Sequence, residues 1–248
     1  MIAMLGMYDH PAIQGANDRY WALIRDHLGR GPETLTRDRD FWDMWLSPDL
    51  LLGQTCGLPY RSRLHDKVTK ICTPDYGLPD CPAGHYKSCF VVRKDSDVRT
   101  LKDLDGLRMV YNEDVSQSGW AGPMAHLRAN GVTPASAEAT GAHVNSMKAV
   151  AEGRADFSGI DGITWNTLLA HEPAADTLRI IDWTPPTPGL PYITSLSNDP
   201  EPLEKAIQAA IDGLAPADRE TLQLRGIVNI PTEEYLSVET PPHPAAAA

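Results

Sequence analysis

Short apolar runs alternate with segments of helical periodicity along most of the chain, and that alternation admits few architectures. "IAMLGM" (2–7) is strand-like, whereas "AIQGANDRYWALIRDHL" (12–28) places its apolar residues at helical spacing and stops at Gly29. "FWDMW" predicts a short helix whose aromatics enter a core, and "LLLGQT" (50–55), "KVTKICT" (67–73) and "YKSCFVVR" (86–93) predict strands. Strands and helices in this order are those of an α/β protein with a mixed, mostly parallel sheet flanked by helices.

The pattern then repeats. "TLKDLDGLRMVYN" predicts a helical turn, a glycine and a strand, followed by a helix over 119–130. "SMKAVAEGRADFSGIDGITWNTLLAHEP" predicts a helix, the strand "ADFSGI" and a second helix from near Thr164 to before Pro173. After the strand "LRIIDW", the proline-rich "TPPTPGLP" (184–191) reads as a crossing between lobes, ahead of "YITSL" and the helix "PLEKAIQAAIDGL". Two lobes are therefore expected, residues 1–88 with 191–248 and residues 89–190, and the tail "TPPHPAAAA" is expected to be loosely attached.

A chain of 248 residues, 42% apolar, can bury cores of that size. With 33 acidic against 22 basic residues its formal charge is −11, and no Lys/Arg cluster interrupts the field, which argues against nucleic acid or an anionic membrane as partner. No apolar run approaches the roughly 20 residues of a membrane span, so no membrane insertion is expected. The opening "MIAMLGMYDHPAIQG" lacks the basic start of an export signal, so the expectation is either a cytoplasmic protein or a chain from which a leader was removed. Cys56, Cys72, Cys81 and Cys89 stand 16, 9 and 8 apart without a C-x-x-C or a matching His pair, which argues against zinc. Cys72 and Cys81 flank "CTPDYGLPDC", a loop that a disulfide could close in an oxidising compartment; four separate thiols are the alternative. Neither a metal nor a cofactor is expected.

"SQSGWAGPMAHLRANG" (116–131) sets two serines and a glycine at the start of a helix. One such serine is an ordinary N-cap, its oxygen accepting a backbone N–H of the first turn. Two of them with a glycine also suit anion binding, because free N–H groups and the positive end of the helix dipole meet there. "SCFVVRKDSDVRTLKDLDGLRMVYNEDVSQSG", "GAHVNSMKAVAEGRADFSGIDGITW" and "RIIDWTPPTPGLPYITS" together resemble the phosphonate-binding branch of the ABC transporter solute-binding proteins, over most of residues 86–196. The resemblance implies the two-lobed type II periplasmic fold, a ligand held in a cleft between lobes, hinge closure and no enzymatic activity. It implies Ser116, Ser118 and the Gly119 N–H as ligands of the oxyanion, with Gln117 between them, and Tyr8, in the loop after the first strand with Asp9 and His10, from the other lobe.

His143, leading a helix after the Gly-Ala of "GAH", could donate to an anion at the same rim; a structural hydrogen bond is the bland reading. Asp161 ends the "ADFSGI" strand, where open α/β sheets place ligands, and is equally suited to cap the next helix. Gln54 and Thr55 end another strand on the side expected to face the ligand. Trp120 and Trp165 flank these groups and read as core. A carboxylate beside an anion site is costly unless the ligand carries a donor or cation, so a zwitterion or polar ester suits the set better than a bare dianion. The expected partners are that small anionic or zwitterionic ligand and an ABC transporter permease, with the chain a monomer and periplasmic by resemblance. Two other readings remain: a cytoplasmic ligand sensor of the same fold, and a hydrolase built on Ser118, His143 and Asp161, for which the chain offers order but no G-x-S-x-G elbow.

Overall fold

The computed structural model describes residues 1–242; most of the "TPPHPAAAA" tail lies outside the described residues. In chain order the strands are β1 (Ile2–Met4), β2 (Leu50–Gln54), β3 (Val68–Asp75), β4 (His85–Tyr86), β5 (Ser88–Arg93), β6 (Arg108–Tyr111), β7 (Ser136–Ala139), β8 (Phe157–Asp161), β9 (Leu178–Trp183), β10 (Thr187–Pro188), β11 (Tyr192–Ser195) and β12 (Gly226–Val228). They fall into two compact units. The first comprises Met1–His85 and Pro188–Ser237, and the second Tyr86–Thr187 with the described residues from Val238.

The first unit is a sheet in the order β1-β2-β11-β3-β12 with apolar cores on both faces. Alternation along β1 sets the split: Ala3 joins Tyr20, Trp21, Ile24, Ile207 and Ile211 of the helices Gln14–Leu28 and Pro200–Gly213, while Ile2 and Met4 join Met44, Trp45, Tyr60 and Tyr235. The first helix ends where Gly29 turns left-handed, at φ 72°, and its N–H returns to the Arg25 carbonyl. The second unit is a sheet in the order β7-β6-β8-β5-β9. Its β5 is buried from Ser88 to Val92, as a central strand covered on both faces requires. Met147, Val150, Trp165 and Leu168 of the helices His143–Ala151 and Gly162–His171 close one face of this sheet.

The sheets are mixed, but they are not mostly parallel as expected. In the first, β1–β2 runs parallel while β11–β2, β11–β3 and β12–β3 run antiparallel. In the second, β6–β7 and β6–β8 are parallel, and β5–β8 and β5–β9 antiparallel. The cause is how strands are entered. A helical crossover returns the chain in the same direction, whereas β5 and β11 are reached directly from short extended segments, β4 and β10, and so run against their neighbours.

None of the four cysteines is in a disulfide, so the Cys72–Cys81 bridge is not formed. Cys72 lies within β3, fully buried, and desolvation pushes its thiol far above the usual range. Among the described residues no helix is long and apolar enough to cross a membrane, and no group of His, Cys, Asp and Glu is arranged to hold a metal ion.

Candidate functional site

The second unit gathers its candidate residues at the carboxyl ends of β6 and β8. Beyond β6 the chain turns through Asn112–Val115 and enters a π-helical turn, Gln117–Ala121, continued by the helix Gly122–Ala129. Ser116 is the N-cap, extended at φ −83° and ψ 129°; its Oγ accepts the Gly119 N–H at 3.0 Å, and its carbonyl accepts the Ala121 N–H at 3.0 Å. The two serines therefore do different work. Ser118 Oγ faces His143 Nε2 at 3.0 Å and Ser116 Oγ at 3.5 Å, and both serines are about 95% buried. Gln117 is buried beside them at 3% exposure.

Gly119 is required by close approach. A β-carbon there would lie 1.9 Å from Asn112 Oδ1. Asn112 also accepts the Gly141 N–H on its carbonyl at 2.8 Å, and the Tyr111 carbonyl accepts the Thr140 N–H at 2.8 Å. The end of β6 thus fixes the loop that delivers His143, which begins the helix His143–Ala151.

His143 is partly buried, its Nδ1 is shielded from solvent without a partner, and desolvation lowers its pKa to about 4. The ring is neutral at neutral pH. A proton on Nδ1 would leave a buried donor unmet, which costs more than an unmet lone pair, so the proton belongs on Nε2. Nε2–H then donates to Ser118 Oγ, whose own hydrogen can turn to Ser116 Oγ or to another acceptor. Asp161 ends β8 at 2% exposure and caps the next helix, its Oδ1 accepting the N–H groups of Ile163 at 2.8 Å and Thr164 at 3.0 Å. It does not orient His143, whose Nδ1 has no partner, so the geometry of a Ser-His-Asp triad is not formed. Trp120 and Trp165 are core, each 3% exposed, with Trp120 against Tyr111 at 4.7 Å between ring centroids.

In the first unit Tyr8 follows β1, its carbonyl accepting from Asn17 Nδ2 at 2.8 Å. Its ring meets Tyr76 edge-on at 5.0 Å. Gln54, buried at the end of β2, donates from Nε2 to Tyr76 Oη at 3.0 Å and to the Leu190 carbonyl at 3.3 Å. Tyr8 and Gln54 are thus joined through Tyr76, a residue that sequence reasoning passed over although it sits in the quoted "CTPDYGLPDC". Thr55 turns inward, its N–H bonded to the Pro191 carbonyl at 3.2 Å and its Oγ1 to the Cys56 carbonyl at 3.4 Å. Asp9 is neutralised by Arg37, at 2.6 Å and 3.3 Å, and His10 caps the Ala12 N–H.

Two α/β units, each entered twice by the chain, with hydroxyl, amide and neutral imidazole groups at strand ends, define a two-lobed binding protein of the periplasmic type. Comparison gives the family. Residues 61–232 match the sequence model of the ABC transporter, phosphonate, periplasmic substrate-binding protein family, more than half of the chain, and the protein belongs to that family. This is a family of substrate-binding transport components, not of enzymes. Similar solved structures include PhnD1 from Prochlorococcus marinus in complex with methylphosphonate, at 20% identity, with 90% of each chain covered and a TM-score of 0.69. A binding protein component of an ABC phosphonate transporter from Pseudomonas aeruginosa aligns at 14% identity, over 94% of this chain and 82% of that one, with a TM-score of 0.71. XAC2383 from Xanthomonas citri, bound to ATP, aligns at 16% identity over 92% of both chains with a TM-score of 0.66. No curated protein matches in sequence.

Proposed function

We propose that this chain captures a small oxyanion-bearing solute, a phosphonate, phosphate ester or similar group, and presents it to an ABC transporter permease. The observation that carries the reading is the Ser118 hydroxyl, 3.0 Å from a neutral His143 at the start of two helices, with its hydrogen available to an oxyanion. Ser116 and Gln117 shape that turn, and the Gly119 N–H adds to the local positive field while bonded to Ser116. Tyr8 and Gln54, joined through Tyr76, are the first unit's candidates for a contribution, whereas Thr55 is turned inward; hinge closure belongs to the same proposal. Asp161 favours ligands that also carry a donor. The methylphosphonate complex of the Prochlorococcus relative supports the ligand class, and family membership supports export to the periplasm and the permease as partner. The protein acts as a monomer.

Among the described residues, the hydrogen-bond partners of the Ser116, Ser118 and His143 side chains are one another and the Gly119 N–H, without an arginine or lysine. Binding then rests on neutral donors, which favours a singly charged or zwitterionic ligand in a chain carrying −11. Thermal melts of the whole protein against methylphosphonate, 2-aminoethylphosphonate, inorganic phosphate and sulfate test this. The reading expects Tm to rise with the phosphonates more than with sulfate, and no shift with any phosphorus oxyanion at millimolar concentration would overturn it.

A further inference from the structure

Three buried polar atoms without a partner surround one turn of the second unit: Asn112 Oδ1, Trp120 Nε1 and His143 Nδ1. A buried polar group left unpaired costs on the order of 1–3 kcal/mol, so a concentration of them marks a place where the chain does not complete its own hydrogen bonding. Asn112 is the informative member. Its peptide carbonyl is committed to the Gly141 N–H, while its side-chain oxygen is set against Gly119, in the turn that carries Ser118. Three backbone donors of that turn go elsewhere: Ser116 N–H to the Glu113 carbonyl, Gly119 N–H to Ser116 Oγ, and Ala121 N–H to the Ser116 carbonyl. The Asn112 oxygen is left without a donor, against the glycine that follows Ser118.

We infer that Asn112 is a specificity-determining residue of this site, its side-chain oxygen accepting a hydrogen bond from an amine or hydroxyl that the ligand carries close to its oxyanion. The inference rests on the oxyanion reading above and narrows it to ligands with a donor. Donor and acceptor are then matched at both ends: Ser118 gives a hydrogen to the oxyanion, and Asn112 takes one from the neighbouring group. Asp161 is a weaker candidate for that acceptor, since one of its oxygens already holds two N–H groups of its own helix.

Calorimetry on the full chain with a matched pair, 2-aminoethylphosphonate and ethylphosphonate, tests it in wild type, Asn112→Leu and Asn112→Asp. Wild type should prefer the amine-bearing ligand by on the order of tenfold, the worth of one hydrogen bond to a charged group. Asn112→Leu keeps the side chain's size without its acceptor and should bring that preference below about twofold. Asn112→Asp, nearly isosteric and so the safer fold, should weaken ethylphosphonate on the order of tenfold while sparing the amine. Unchanged ratios in both variants, with both ligands still bound, would overturn the inference and leave the oxyanion reading standing. Failure of wild type to bind either phosphonate would overturn both.

Discussion

Ser116 and Ser118, two residues apart, are bonded differently, Ser116 Oγ capping the Gly119 N–H and Ser118 Oγ facing His143, and the structural role of the one and the proposed binding role of the other have separate signatures. Ser116→Ala removes the oxygen that accepts the Gly119 N–H, a loss of about 0.5–2 kcal/mol that thermal melts of the free protein will show as a lower Tm. Ser118→Ala removes no cap but leaves the His143 Nε2–H without its acceptor, so a lower Tm is expected here too, and ligand affinity is the readout that separates the two serines. His143 adds a pH signature. Its folded pKa of about 4 lies below the ordinary value of about 6.5, so below pH ~6.5 the unfolded chain binds the extra proton. Stability contributed by the neutral ring is present above that pH and is lost as pH falls towards 4. Replacing His143 with Gln should flatten the dependence of Tm on pH over this window; an unaltered slope would show that the imidazole is not held neutral. Asp161→Asn keeps a good capping residue, so a Tm near that of wild type is expected.

At the scale of elements, the site depends on how tightly β8 and the Gly122–Ala129 helix approach. A β-carbon at Gly159 would fall 2.4 Å from Pro123 Cγ, on a ring that cannot swing aside. Gly159→Ala should therefore cost about 1–3 kcal/mol of stability, read as a fall in urea midpoint, and a neutral effect would mean that the helix floats on the sheet. Elements with strong apolar periodicity were legible in the sequence: the Gln14–Leu28 helix with its Gly29 stop, and β5 as a continuous apolar run. β7 was not, because Ser136–Ala139 is largely exposed and carries no alternation, and the helices Pro216–Thr221 and Thr232–Ser237 are too short for a periodic signal. Strand direction was illegible for another reason, since an apolar run buries equally well either way round. The serines and His143 could be marked as candidates from helix starts alone. Asn112 and Tyr76 could not, because their contacts with Gly119 and Gln54 join separate turns and leave no spacing in the sequence.

At the scale of the whole molecule, the chain passes between its two compact units at His85/Tyr86, Thr187/Pro188 and Ser237/Val238, and the proposed function has a consequence at this scale. Closure predicts a smaller radius of gyration in solution scattering with saturating methylphosphonate than without it, and an unchanged radius despite binding would deny the hinge. The central claim is narrower: that the Ser118 hydroxyl, held by His143, binds the oxyanion. Titration of methylphosphonate into wild type and Ser118→Ala by calorimetry tests it most directly. The account predicts that affinity falls by about 1.5–3 kcal/mol in the variant; equal affinities, whatever the melting temperature does, would contradict it and make Ser118 a structural residue.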